Sequence, residues 1–239
     1  MVSQVNIALV SVAVLLTSGV EVRAGVISYV SDTRRIVAYA FVTDGSQEDE
    51  ERVTDFPSAP FAPFDSSVNA SASLSGVTLE ASASQSSEFL PLAVIASGTS
   101  HIGWPGSENH HQGTYAYNNL TVGFELDEAT PFQFSAEVSV TEAGVLEFAF
   151  VWVTLSGPGG EIFGIFGAGP SSESLDETGV LPPGYYGLDA GADLQNGPCL
   201  APYTFDGNAS YSFEFRIPEP ASMALLLLGC PVVLRHRRR

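Results

Sequence analysis

The chain has 239 residues, with nine arginines and no lysine against 27 aspartates and glutamates, a formal charge of −18. A surface that acidic repels phosphate backbones and anionic lipid, which excludes nucleic acid as the expected partner. The missing lysine removes P-loop, Schiff-base, Ser-x-x-Lys and isopeptide chemistry, while an apolar content of 45% is enough for one large or two small domains with a real core.

In chain order, the first element is an unbroken apolar run, Ile7–Leu16, ten residues long. A membrane span needs about 20 such residues, so the run fits the hydrophobic region of a secretory signal peptide. Val22-Arg23-Ala24 then places small residues at the first and third positions before Gly25, the pattern read by signal peptidase. Residues 1–24 are therefore expected to be a signal helix cleaved between Ala24 and Gly25. The remaining body holds four arginines against 25 acids.

The densest acidic run follows, Asp44-Gly45-Ser46-Gln47-Glu48-Asp49-Glu50-Glu51, with Asp55 just beyond. Carboxylates are hard ligands suited to Ca²⁺, but the spacing is not that of an EF-hand. The expectation is a solvated acidic loop with Ca²⁺ as an unsupported option, and otherwise no cofactor and no metal. Ser66–Ser84 alternates small apolar with polar residues. Val68, Ala70, Ala72 and Leu74 share one face, and Val77, Leu79, Ala81 and Ala83 share one face after Ser75-Gly76. That pattern predicts a hairpin with thin side chains, against which a second layer can approach closely.

His101, His110 and His111 lie near Trp104, Glu108 and Asn109 in a Gly-rich stretch. Adjacent His110 and His111 would point to opposite faces of an extended chain, which makes them poor co-ligands. An exposed polar loop is the expectation, with metal ligation and sugar stacking on Trp104 as minor alternatives. Val122, Phe124 and Leu126 alternate with polar or small residues, and Phe132, Phe134, Ala136, Val138 and Val140 do the same. Each predicts a strand with one buried face. Val145–Leu155 is apolar on both faces and reads as a strand buried on both sides. Gly164 to Gly169 repeats glycines without the strand–helix context of a dinucleotide site. Asp176, Glu177, Asp189 and Asp193 form a second acidic group, expected to be solvated. Cys199 is the one cysteine of the body, so no internal disulfide is expected there and a passive thiol is. Tyr211, Phe213 and Phe215 complete the alternation.

Pro and Gly clusters at 57–63, 157–160, 182–184 and 196–198 punctuate these runs. Nine or ten short strands spaced by such turns predict an all-β, antiparallel β-sandwich of jelly-roll-like topology over residues 25–216. It would be flanked by the N-terminal signal helix and a short C-terminal hydrophobic helix.

The last segment, residues 217–239, has three parts. Pro218-Glu219-Pro220 cannot continue a helix or pair in a sheet, so it stays extended. Met223–Leu234 is apolar, interrupted by Gly229 and Pro231, with Cys230 inside it. Arg235, His236, Arg237, Arg238 and Arg239 end the chain, and under the positive-inside rule the four arginines stay cytoplasmic.

Ile217-Pro218-Glu219-Pro220-Ala221-Ser222, followed by the apolar run and the arginines, resembles the PEP-CTERM sorting signal of Gram-negative bacteria that make exopolysaccharide. The resemblance implies a substrate of an exosortase, an inner-membrane cysteine protease that removes the tail near Pro218-Glu219-Pro220. It also implies transient inner-membrane insertion and release or attachment at the cell surface. The body, with Leu181-Pro182-Pro183-Gly184-Tyr185-Tyr186, resembles uncharacterised secreted sandwiches bearing this tail.

Motifs for an esterase elbow, a zincin helix and a redox dithiol are missing. The expectation is a non-catalytic exported protein of the surface or biofilm matrix, with signal peptidase, exosortase and exopolysaccharide as partners. The alternative is a carbohydrate-binding module using aromatics such as Trp104, Tyr115, Tyr117, Tyr185 or Tyr186. A polysaccharide-degrading enzyme, which needs paired carboxylates in a cleft, ranks third.

Overall fold

The computed structural model describes residues 26–107, 110–144, 146–200 and 204–219, with the backbone alone at 198–200. The cleavage pair Ala24 and Gly25, Pro220, the apolar tail segment and Arg235, Arg237, Arg238 and Arg239 lie outside the described residues, as do both expected terminal helices. Among the described residues there is no helix at all, and so none long and apolar enough to cross a membrane.

Residues Gly25–Ile217 form one compact unit. It is an antiparallel β-sandwich of twelve strands: β1 (Ser28–Thr43), β2 (Glu48–Asp55), β3 (Phe64–Leu74), β4 (Val77–Leu90), β5 (Ala93–Trp104), β6 (His111–Leu126), β7 (Thr130–Ala143), β8 (Phe148–Gly157), β9 (Gly160–Ala168), β10 (Ser171–Leu181), β11 (Gly184–Leu200) and β12 (Phe205–Arg216). The front sheet runs β2-β1-β6-β11-β8-β9 and the back sheet β10-β7-β12-β5-β4-β3. The strands are more numerous than the nine or ten expected, and β1, β6 and β11 reach 16 or 17 residues.

Period-two alternation explains the layering. Ile36, Ala38, Ala40 and Val42 of β1 point inward, as do Leu120, Val122 and Phe124 of β6 and Leu188, Ala190, Ala192 and Leu194 of β11. They meet Phe132, Phe134 and Val138 of β7 and Tyr211, Phe213 and Phe215 of β12. The Ala/Ser hairpin is present in the expected register, with Ala70 opposite Ala81 and Ala72 opposite Leu79. Its turn takes φ of 52° at Ser75 and 82° at Gly76, the two left-handed residues a tight hairpin needs.

The acidic run is not one loop. Asp44 to Gln47 make the turn, and Glu48 begins β2, an edge strand. Asp49 accepts a bond from the Ser73 amide at 2.6 Å, and Glu51 accepts one from the Ser71 amide at 2.8 Å. These acids satisfy free amides on β3, the edge of the opposite sheet, and close that side of the sandwich. In the turn, the Asp44 carboxylate accepts bonds from the Ser46 hydroxyl and the Ser46 and Gln47 amides, which lower its pKa to about 2.

Both ends of the unit fasten to the β4–β5 turn. The Ile27 amide donates to the Pro91 carbonyl at 3.1 Å, and the Ile217 amide to the Leu92 carbonyl at 2.8 Å. Beyond Ile217, Pro218 is half-buried and Glu219 exposed, without regular structure.

Candidate ligand-binding face

The outer face of the front sheet carries a cluster of aromatic rings. Val145–Leu155 was expected to be buried on both sides. In β8 only Val151, Val153 and Leu155 are. Phe148, Phe150 and Trp152 point away from the core, and no other described strand covers them, because the sandwich has two sheets and this is the outside of one. Phe166 of β9 joins them. The Phe150 ring lies 5.6 Å from Trp152, 6.1 Å from Phe148 and 6.1 Å from Phe166. Phe148 and Phe166 are 44% and 42% exposed, well above core values.

Two strands away, Tyr115 and Tyr117 of β6 stack at 5.8 Å with an interplanar angle of 12°. Between these two groups of rings runs β11, where the outward residues Asp189, Gly191, Asp193 and Gln195 are small or polar. Tyr115 is opposite Gln195, which is opposite Phe148. Tyr117 is opposite Asp193, which is opposite Phe150. Asn119 is opposite Gly191, which is opposite Trp152. Asp189 follows, between Thr121 and Thr154. The result is a polar trough along β11 with aromatic walls on β6 and β8.

Glycine is required where the Trp152 indole crosses the strand. A Cβ on Gly191 would sit 2.5 Å from two atoms of that ring, closer than real contacts allow. Gly164 likewise leaves room for the Phe166 ring, which a Cβ there would meet at 3.0 Å.

The trough is electrostatically set. Burial raises the Asp193 pKa, opposed in part by the Gln195 side-chain amide, which donates to both carboxylate oxygens at 3.1 Å. Asp189 accepts from the Thr121 hydroxyl at 3.3 Å. Burial also raises the Tyr115 and Tyr117 phenols, and the Asp193 charge adds to it in both cases. Arg35 and Arg52 lie beyond the tyrosines, on β1 and β2.

The back sheet carries the opposite chemistry on its outer face. An open hollow of about 410 Å³ is lined by Ser86, Ser97, Ser135, Ser174 and Ser212 with Glu137, Asp176 and Glu214. Glu214 is ion-paired with Arg216.

Of the aromatics singled out from the sequence, Tyr115 and Tyr117 lie on the aromatic face, and Tyr185 is exposed near its border, 3.3 Å from Ser31 through the two hydroxyls. Trp104 and Tyr186 do not belong to that set. Trp104 is 3% and Tyr186 1% exposed, both inside the core, because they occupy inward positions of β5 and β11. The Tyr186 hydroxyl donates to the Pro182 carbonyl at 2.6 Å and so braces the Pro182-Pro183-Gly184 turn.

The histidine stretch is also divided. His101 is on the outer face of β5, 3.6 Å from Asp206. His110 is buried with its Nδ1 2.6 Å from the Ser107 hydroxyl, and His111 is exposed at the start of β6. Glu108 and Asn109 lie outside the described residues. The second acidic group divides between sheets, Asp176 and Glu177 on β10 and Asp189 and Asp193 on β11. The described residues contain no group of three or more His, Cys, Asp or Glu placed to hold a metal ion. Cys199 pairs through its backbone with Gln112.

No family model matches the chain, and no curated protein matches it. Among solved structures, it is similar to a chain of the infectious bursal disease virus Gx strain at 8% identity, covering 82% of this chain and 63% of that one, with a TM-score of 0.20. A second, from the T13 particle of the same virus, has 9% identity, coverage of 82% and 79%, and a TM-score of 0.17. At such scores neither likeness carries an argument about fold or activity.

Proposed function

We propose that the chain is an exported, non-catalytic protein of the cell surface or extracellular polymer matrix. A signal peptidase removes the leader, and an exosortase trims the tail at Pro218-Glu219-Pro220 after a transient stay in the inner membrane. The observation that carries this reading is the order of the tail: a helix-breaking motif, an apolar segment, then four arginines within five residues. The exposed position of Glu219 beyond β12 fits a cleavage site open to a protease. The test is the mass of the protein in surface fractions of cells with and without the exosortase. Loss of the arginine cluster in the first and its retention in the second is expected. An intact tail at the surface of wild-type cells would refute the processing.

A second reading concerns the body, and the aromatic outer face of the front sheet favours it: a carbohydrate-binding module of the exopolysaccharide matrix. Sugar rings have apolar faces that pack on aromatic rings, and hydroxyls that need partners beside them. The front sheet supplies both within three neighbouring strands. The back-sheet carboxylates Glu137, Asp176 and Glu214 lie among serines in an open hollow on the other sheet, apart from these rings. Retardation in gels containing soluble polysaccharides tests this module reading.

A further inference from the structure

The β11 trough narrows the ligand class, an inference that rests on the carbohydrate-binding reading above. We infer that this trough takes an uncharged polysaccharide chain, with sugar rings stacked on Trp152, Phe150 and Tyr117 and hydroxyls donating to Asp189 and Asp193.

Four features lead there. First, the walls are rings and the floor is not. Tyr117, Asp193 and Phe150 are opposite one another on three adjacent strands, so an aromatic wall, an acceptor and a second aromatic wall recur across about 10 Å of sheet. Second, ionised carboxylates only accept hydrogen bonds, so the floor calls for a ligand rich in donors, which a polyol is. The Gln195 amide donates to both Asp193 oxygens at 3.1 Å. Third, the indole reaches the floor itself, since the missing side chain of Gly191 lets Trp152 lie across β11 beside Asp189 and Asp193.

Fourth, charge eliminates the competitors. Polyuronates and sulfated glycans would bring anions against Asp189 and Asp193 on a body that already carries 25 acids against four arginines. A second copy of this chain docked face to face would place its own Asp189 and Asp193 against these or against the rings, removing four carboxylates from water. Arg35 and Arg52 share this outer face but lie one and two strands beyond the tyrosine wall, on β1 and β2.

The test uses the full body, residues 25–217, with affinity electrophoresis and tryptophan fluorescence. The probes are soluble uncharged polymers (a β-glucan, a mannan and a xylan) and an anionic one, polygalacturonate. The chain has two tryptophans and Trp104 is buried, so a ligand-dependent fluorescence change reports on Trp152. Binding to at least one uncharged polymer and none to polygalacturonate at low salt is expected. Trp152→Ala should lose about tenfold or more in affinity from lost stacking. Asp193→Asn should lose about tenfold for the uncharged polymer and gain measurable binding to polygalacturonate. Equal or tighter binding to polygalacturonate, or wild-type affinity in Trp152→Ala, would overturn the inference while leaving the module reading intact. Failure of every polymer would overturn both.

Discussion

Arg34 forks onto Asp32 from two residues further along the same strand, and both side chains are shut away from water. Nε lies 2.9 Å from Oδ1 and Nη2 2.5 Å from Oδ2, with the two side chains at 0% and 1% exposure. The guanidinium also donates to the Ala62 carbonyl at 2.7 Å and the Ser87 hydroxyl at 3.1 Å, and stacks 4.7 Å from the Phe89 ring. Asp32 in turn accepts from the Phe61 amide at 2.8 Å. The pair thus fastens the 56–63 connection and β4 to β1. Removing one partner leaves a bare charge in the core. Arg34→Met should therefore cost about 3–5 kcal/mol in urea unfolding, and a loss below about 1 kcal/mol would show the pair to be bystanders.

The core contains a second tight spot. A Cβ on Gly98 would meet Asn118 Oδ1 at 2.3 Å and the Tyr211 ring at 2.6 Å. Gly98 is opposite both Gln85 and Tyr211, so the phenol ring lies across the place where its side chain would be. Asn118 cannot retreat easily, because its amide donates to the Ser100 hydroxyl at 3.0 Å, which donates to the Ala192 carbonyl at 2.9 Å. Gly98→Ala should destabilise by about 1–3 kcal/mol or more. Gly113→Ala, with nothing within 4 Å, should change stability by less than about 0.5 kcal/mol. Equal midpoints for the two variants would contradict this packing.

Asp193 gives a prediction of pH dependence. Burial raises its pKa above the unfolded value, so between the two pKa values the folded state holds more protons than the unfolded one. Stability from this group accordingly falls as pH rises through that window, and at neutral pH the charge costs stability. Asp193→Asn should raise the melting temperature at pH 7, with the advantage shrinking below the unfolded carboxylate range, near pH 4. A variant destabilised at pH 7 would mean that the carboxylate has a stabilising partner. The same variant is expected to bind polysaccharide less well, so a loss of binding there is not a loss of fold.

Tyr211 titrates in the opposite pH range. Its phenol is fully buried and raised by desolvation, with the Asp189 and Tyr117 charges adding to it and the nearby Gln85 side chain opposing it; among the described residues no group meets its hydroxyl at hydrogen-bond geometry. The folded state keeps the phenol proton that the unfolded state loses above about pH 10, so stability declines as pH rises past that point. Tyr211→Phe removes the dependence and an unsatisfied hydroxyl together. At pH 7 it should lie within about 1 kcal/mol of the parent or above it, and it should retain more of its stability above pH 10. Parallel alkaline melting curves for the two proteins would disprove the assignment.

The sandwich was legible because alternation survives in each strand. Phe132 to Val140 and Tyr211 to Phe215 bury the residues their period indicates, and the Ala/Ser hairpin turns at Ser75-Gly76 as its phase requires. The aromatic face was half legible. Tyr115 and Tyr117 stood out, but Phe148, Phe150 and Trp152 read as core, because period two shows which residues share a face and not whether another layer covers it. Trp104 and Tyr186 failed for the same reason in reverse. The β2 acids were unreadable as a strand because four consecutive carboxylates carry no apolar phase. Their pairing depends on amides of β3 about 20 residues away in sequence, at Ser71 and Ser73.

The neighbouring carbonyls of Pro91 and Leu92, holding Ile27 and Ile217, have a mechanical consequence. Tension drawn between the two extremities is taken up at one corner of the sandwich and not transmitted through its width. A domain tethered by either extremity would swing from that corner as a whole, leaving both broad surfaces unobstructed.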